Sequence, residues 1–199
     1  MRFRGIALLA STVLAGVVLS TGALADEQPQ AGSDLVLPFT APADEQAQPV
    51  SGVVPATVAI PKIGTRAAVV PLGLLDDGTL DAPADPDTIG WFMGGPGVGG
   101  PGNTILDGHV DWGGRLRVFG LLRNLRPGDA VLVTDVDGQA LSYTVTWSRL
   151  VDADDAPLDE IYEQGPAEEL TLITCGGAFD PSTHTYVSRL VVRAVRNDS

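Results

Sequence analysis

The dense punctuation of this sequence by glycine and proline constrains its fold more than any other feature. There are 24 Gly and 15 Pro among 199 residues. Gly therefore stands at roughly 12%, against a usual share of about 7%. Both residues interrupt regular structure, which favours many short strands joined by turns over a helical bundle. The length suits one domain with something extra, and an apolar fraction of 44% is ample for a single core.

Read along the chain, strands are expected at Thr57–Ile60 and Ala67–Pro71, with turns at Gly64 and at Asp77-Gly78. Gly90–Gly102 reads as a Gly/Pro-rich surface loop carrying Trp91 and Phe92. Asn103–Asp107 is a short apolar strand leading into Gly108-His109. Leu116, Phe119, Leu122 and Leu125 recur at helical spacing, and Pro127-Gly128 ends that short helix. Ala130–Val136 and Leu141–Trp147 alternate around Asp137-Gly138, a strong hairpin signal. Asp155–Glu163 is expected as a loop with one helical turn, and Leu170–Thr174 and Leu190–Val195 as two further strands. About eight strands with one or two short helices predict a mainly β, closed, barrel-like domain.

The ends of the chain differ from its middle. Arg2 and Arg4 precede an uncharged stretch from Gly5 to Ala25. At 1.5 Å per residue that stretch reaches roughly 31 Å, the thickness of a bilayer core. Its flanking charges orient the remainder outward. Residues 1–25 thus read either as a membrane anchor or as a signal peptide cleaved after Ala23-Leu24-Ala25. Either way the domain is exported, to the outer face of the membrane or as a secreted protein. Residues 26–55 carry five acidic residues, five prolines and no basic residue, and read as a disordered, extended tether. Leu37-Pro38-Phe39-Thr40 within it resembles a fragment of a sorting signal but lacks the following Gly, apolar segment and basic tail. The folded unit is taken as 56–199.

A formal net charge of −13 repels polyphosphate, so no nucleic-acid partner is expected. Neither zinc-type Cys/His spacing nor a phosphate-cradling motif occurs, and neither a metal nor a cofactor is expected. Carboxylates such as Asp152, Asp154 and Asp155 read as a solvated loop.

Cys175 is the sole cysteine. In an exported chain it has no internal disulfide partner, so it is either packed inertly or a thiol with a use. It follows Leu170-Thr171-Leu172-Ile173-Thr174 and precedes Gly176-Gly177, which places it at a strand exit with room for a substrate backbone. By local pattern alone a packed thiol is the better reading. Of the two histidines, His109 follows a strand and a glycine between Asp107 and Asp111, whereas His184 sits in a turn-rich polar loop. Arg189 opens the last strand as Cys175 closes the one before, and antiparallel pairing across the 13-residue loop brings them to one edge. Arg193 is about 13 Å further along the strand, and with Arg196 reads as a surface charge. A thiol, an imidazole and a guanidinium make up a kit for acyl transfer.

With these residues in view, the sequence resembles the sortases, particularly the class E/F-like enzymes of high-GC Gram-positive bacteria. Pro101-Gly102-Asn103-Thr104-Ile105-Leu106-Asp107-Gly108-His109-Val110-Asp111 is similar to the family's segment ending in Gly-His. Phe119, Leu122, Leu125 and Pro127-Gly128-Asp129 resemble the helix and turn that follow it. Thr171-Leu172-Ile173-Thr174-Cys175 fits the family's Thr-Leu-x-Thr-Cys signature, and Arg189-Leu190-Val191-Val192 its closing strand. The resemblance implies an eight-stranded sortase barrel that cleaves an LPxTG-like signal between Thr and Gly. It implies Cys175 as nucleophile, His109 as acid–base partner and Arg189 at the oxyanion, with Thr174 as a substrate contact. The implied partners are surface proteins bearing a C-terminal sorting signal and an amine from a peptidoglycan precursor or a pilin.

Rival readings fit less well. An NlpC/P60-type peptidase places its Cys before its His, and here His109 precedes Cys175. An L,D-transpeptidase carries a Ser-His-Gly-Cys block, which is absent. An exported, non-enzymatic β-barrel binding module with a buried thiol would need neither His109 nor Arg189.

Overall fold

The computed structural model describes residues 51–76 and 78–197. The expected leader, the tether up to residue 50 and Asp77 of the expected Asp77-Gly78 turn lie outside the described residues. Residues 51–55, on the tether side of the boundary drawn from composition, contact the domain through mutual backbone hydrogen bonds between Val53 and Val98.

Among the described residues the strands are β1 (Pro55–Ile60), β2 (Thr65–Leu72), β3 (Ile89–Phe92), β4 (Gly102–Asp107), β5 (Asp111–Trp112), β6 (Arg115–Leu116), β7 (Ala130–Asp135), β8 (Ala140–Asp152), β9 (Glu168–Asp180) and β10 (Thr185–Arg196). Eight close into a barrel in the order β1-β2-β3-β4-β9-β10-β8-β7, and β7 returns to β1. β5 and β6 form a separate two-residue ribbon. The closed, eight-stranded, mainly β architecture matches the sequence expectation. Pairing is antiparallel except for β2–β3 and β4–β9. A parallel pair requires a crossover, and the segment 73–88 supplies the one between β2 and β3.

Strand alternation sorts the apolar side chains into two layers. Leu106, Leu170, Leu172, Val192 and Ala194 join Val58, Val131, Val133 and Tyr143 inside the barrel. Ile105, Ile173, Cys175 and Val191, one residue out of phase, line the outer face of the same strands. There they meet Leu72, Leu80, Phe92 and Ile161. The outer layer is covered by 73–88 and by the β8–β9 connection 153–167, which contains the single helical turn α1 (Leu158–Ile161).

Three local expectations are corrected. Gly90–Phe92, expected as the start of a surface loop, instead belongs to the buried strand β3. Gly90 disguised it, and the glycine is there because a Cβ would run into Leu72 and come within 2.6 Å of Asp107 Oδ1. The apolar spacing from Leu116 to Leu125 is not a helix. Leu116 is exposed in β6, and only Leu122–Asn124 forms a 3-10 turn that buries Leu122. Gly120 packs so closely on Leu116 and the Val110 carbonyl that the chain bends instead of coiling. Arg193 is also no surface charge: it is 5% exposed. Its Nη1 donates to Glu169 Oε2 at 2.5 Å, and its Nη2 donates to the Glu160 and Ile161 carbonyls. It thereby ties α1 to the sheet, helped by an Arg149–Glu160 ion pair. Arg196 is partly buried and pairs with Glu168.

Candidate active site

Cys175 does not sit at a strand exit. β9 runs on to Asp180, β10 starts at Thr185, and the supposed 13-residue loop is largely hairpin with its turn at 181–184. His184 occupies that exposed turn with a φ of 57°, well beyond the end of β9. The two glycines after Cys175 do not open space either. A Cβ on Gly176 would come within 2.7 Å of Leu150 Cδ1, and Gly177 takes a φ of 78° beside the irregular pairing at Tyr186–Ser188.

Within this hairpin Cys175 and Arg189 are direct cross-strand partners. Residues so paired point to the same face, with Cβ atoms about 4.5–5.5 Å apart. Both are buried, at 5% and 3% exposure. Arg189 Nη1 donates to the carbonyls of Tyr186 (2.9 Å) and Ser188 (3.0 Å). These bonds fix the planar guanidinium of the residue that pairs with Cys175.

The end of β4 brings in the third group. β4 runs parallel to β9 with Asp107 opposite Ile173, so the chain that continues to His109 advances alongside Thr174 and Cys175. Gly108 N donates to the Ile173 carbonyl at 3.2 Å, and the Thr174 hydroxyl donates to the Gly108 carbonyl at 2.6 Å. Thr174 is wholly buried, its hydroxyl engaged in this strand-to-strand bond. Gly108 has to be glycine: a Cβ would lie 2.8 Å from Val118 Cγ1 and 2.9 Å from Phe119 Cδ2.

His109 is itself buried, its ring edge-on to Trp112 at a centroid distance of 5.2 Å. Its Nε2 lies 2.8 Å from the Pro83 carbonyl. A carbonyl oxygen only accepts, so Nε2 carries a proton, and Nδ1 is the ring atom whose protonation changes. The buried crossover residue Pro83 thus fixes both ring orientation and tautomer.

Sequence reading passed over four participants. Tyr186 donates from its hydroxyl to Asp111 Oδ2 at 3.0 Å. Its phenol is pushed up to about 12, first by burial, then by Asp111 as hydrogen-bond partner and charge, and last by the charge of Cys175. Tyr186 therefore bridges the Cys175 hairpin to the chain just after His109. Pro83 gave no signal, since its contribution is a carbonyl from a connection distant in sequence. Asp107 is 1% exposed, and its carboxyl is held well above the usual range by burial and, secondarily, by the charge of Asp81. The strand alternation Asn103, Ile105, Asp107 already places it on the outer face with Ile173 and Cys175.

The arrangement combines a thiol, a guanidinium and an oriented imidazole on an apolar outer face, under two connections. Such a site can form and resolve an acyl-thioester.

A sortase domain model matches residues 58–197. Among solved structures, sortase A from Corynebacterium diphtheriae is similar at 23% identity and a TM-score of 0.56, covering 75% of this chain and 62% of that one. This chain thus spans less than two thirds of that structure. Sortase C-1 from Actinomyces oris matches at 25% identity and a TM-score of 0.54, over 72% of this chain and 73% of that one. Sortase C1 from Streptococcus agalactiae matches at 23% identity and a TM-score of 0.54, over 72% and 67% respectively. No curated protein matches the sequence.

Proposed function

The chain belongs to the sortase family of transpeptidases, and from that premise we propose that Cys175, His109 and Arg189 cleave an LPxTG-like sorting signal between Thr and Gly. The Cys175 thiolate attacks the threonine carbonyl carbon, and the carbonyl oxygen takes the negative charge. Collapse of that intermediate breaks the C–N bond, and His109 gives its Nδ1 proton to the departing glycine amine. An incoming amine then attacks the thioester carbon and loses its proton to His109, and the thiolate leaves. The acceptor is an amine of a peptidoglycan precursor or a pilin lysine.

Each group answers a chemical need. A thiol of ordinary pKa near 8.5 is only a few per cent thiolate at neutral pH, and a nearby imidazolium and guanidinium favour the ionised form. A guanidinium aimed at the developing oxyanion contributes roughly 3–4 kcal/mol. Thr174 serves as a positioning residue, holding the Gly108-His109 segment against β9 through its hydroxyl. The observation that carries this reading is the direct pairing of Cys175 with Arg189 beside the strand end that delivers His109. The leader and tether would present the domain at the outer face of the membrane, where sorting signals and cell-wall amines meet.

Quenched fluorescent peptides of LPxTG and LAxTG type, analysed by mass spectrometry, test the proposal on the soluble domain. Cleavage after Thr, transfer to an added amine, and loss of both in Cys175→Ala and His109→Ala are expected. The burial of Cys175 is what a binding module with a packed thiol would also show. No turnover with reduced protein and several amines would favour that module.

A further inference from the structure

The ribbon of β5 and β6 is slight by its own structure, yet it bears on the imidazole. Its strands are two residues each and form a sheet apart from the barrel. A lone two-stranded hairpin is marginally stable at best. A Cβ on Gly113 or Gly114, the two glycines between its strands, would meet nothing within 4 Å. The ribbon nevertheless carries Trp112, whose ring lies edge-on to His109.

Side chains tie the ribbon down from two directions. Arg117, just past β6, donates to the Trp112 carbonyl at 3.5 Å and pairs with the exposed Asp87 at 3.3 Å. Both contacts are long, and a solvated ion pair contributes little. The other tie is the bond from the Tyr186 hydroxyl to Asp111 Oδ2. Among the described residues Asp111 Oδ2 has no other donor, and Oδ1 is buried without a partner. The carboxyl is therefore anchored by that phenol.

Tyr186 is itself well held. It packs against the outer layer that contains Cys175. Phe179, its cross-strand partner, meets its ring at a centroid distance of 5.3 Å. Its main-chain carbonyl accepts from Arg189 Nη1. Burial first, and then Asp111, raise the phenol to about 12, so the hydroxyl keeps its proton and stays a donor. One residue thus touches Arg189 through its main chain and the segment after His109 through its side chain.

We propose that Tyr186 is a positioning residue that sets the His109 imidazole relative to Cys175 through its hydrogen bond to Asp111. The inference rests on the proposed transpeptidation. It assigns Tyr186 no contact with the reacting atoms. The tyrosine acts by fixing Asp111, and with it the adjoining Trp112 that packs on the ring which protonates the leaving amine.

The test compares two LPxTG-type substrates on the full-length chain, one with the scissile amide and one with an ester oxygen in place of the glycine N–H. An amine departs only with a proton supplied, whereas an alcohol depends less on one, so misplacing His109 harms the amide more. The rate of acyl-enzyme formation is followed in single turnovers, and thermal melts establish that each variant is folded. Tyr186→Phe keeps the ring and removes only the hydroxyl. It is expected to slow the amide reaction roughly tenfold or more and the ester reaction by less than about threefold. His109→Ala should show the same pattern with a larger loss on the amide. Asp111→Asn, which retains an acceptor, should lose less than Asp111→Ala. Adding Tyr186→Phe to Asp111→Ala should cost no more than about a further twofold, since the bond is already gone. Equal losses on amide and ester, or a Tyr186→Phe variant as fast as wild type on both, would overturn the inference while leaving transpeptidation intact. Wild-type chain that acylates with neither substrate would count against transpeptidation. In that case the nuclear Overhauser contact between the Trp112 and His109 rings decides: its loss in folded Tyr186→Phe supports the positioning role, and its retention overturns it.

Discussion

The two faces of the β4–β9–β10 sheet are built from alternate residues of the same strands, yet they follow opposite rules. Inward, Leu106, Leu170, Leu172, Val192 and Ala194 pack into a barrel core composed of hydrophobic side chains. Outward, Asp107, Cys175 and Arg189 interleave with Ile105, Ile173 and Val191, and His109 adjoins them just past the end of β4, all of them buried. A fully buried aliphatic side chain contributes about 1.5–3 kcal/mol. The inner face collects that gain except at Thr104 and Thr174, whose buried hydroxyls donate to the Gly97 and Gly108 carbonyls. The outer face gives part of it up by burying polar groups, and then needs Arg193, Arg149 and Asn103 to fasten the connection around α1 over it. One period-2 strand pattern thus separates scaffold from chemistry by a single-residue phase.

The contrast is sharpest for substitutions that reverse the rule on one face. Leu172→Ala opens a cavity in the inner core and is expected to cost about 2–5 kcal/mol in a chemical denaturation experiment. A cost below 1 kcal/mol would show that the inner face is not the principal scaffold. Asp107→Leu on the outer face is expected to act in the opposite direction, raising stability near neutral pH by about 1–3 kcal/mol. The pH dependence has a defined sign. Asp107 is raised in the folded chain, so the native state holds the extra proton above the ordinary carboxylate range. Its contribution is therefore most favourable at acid pH and is lost as pH rises through the folded value. The stability gain of Asp107→Leu should accordingly grow with pH above about 4. A gain independent of pH would place its origin in packing instead of the carboxyl.

Much of this organisation is written in short-range pattern. The alternation Leu170-Thr171-Leu172-Ile173-Thr174 reports a strand buried on both faces, and Asp137-Gly138 reports the β7–β8 turn. The bounds of β9 and β10 were not legible, because Gly176, Gly177 and Pro181 resemble terminators, while the irregular pairing at Tyr186–Ser188 lets the hairpin continue past them. β3 was hidden by Gly90, whose cause is the Leu72 and Asp107 side chains brought in from two other strands. The spurious helix at Leu116–Leu125 shows the same limit, as 3.6-residue spacing there reflects a bent chain that buries Phe119, Leu122 and Leu125. For the candidate site, the family resemblance singles out His109, Cys175 and Arg189, and the structure pairs Arg189 with Cys175 across β9 and β10. Pro83, Tyr186 and Asp111 act through contacts 26 and 75 residues apart in sequence, which no local pattern records.

The central claim is that the outer face carries an acylating thiol, and the most direct test is the intact mass of the domain during reaction with an LPxTG-type peptide. The account predicts an added mass equal to the peptide up to and including its threonine, located on Cys175, absent in Cys175→Ala and released by an added amine. An unmodified Cys175 in a folded, reduced domain, across the whole peptide panel, would contradict it.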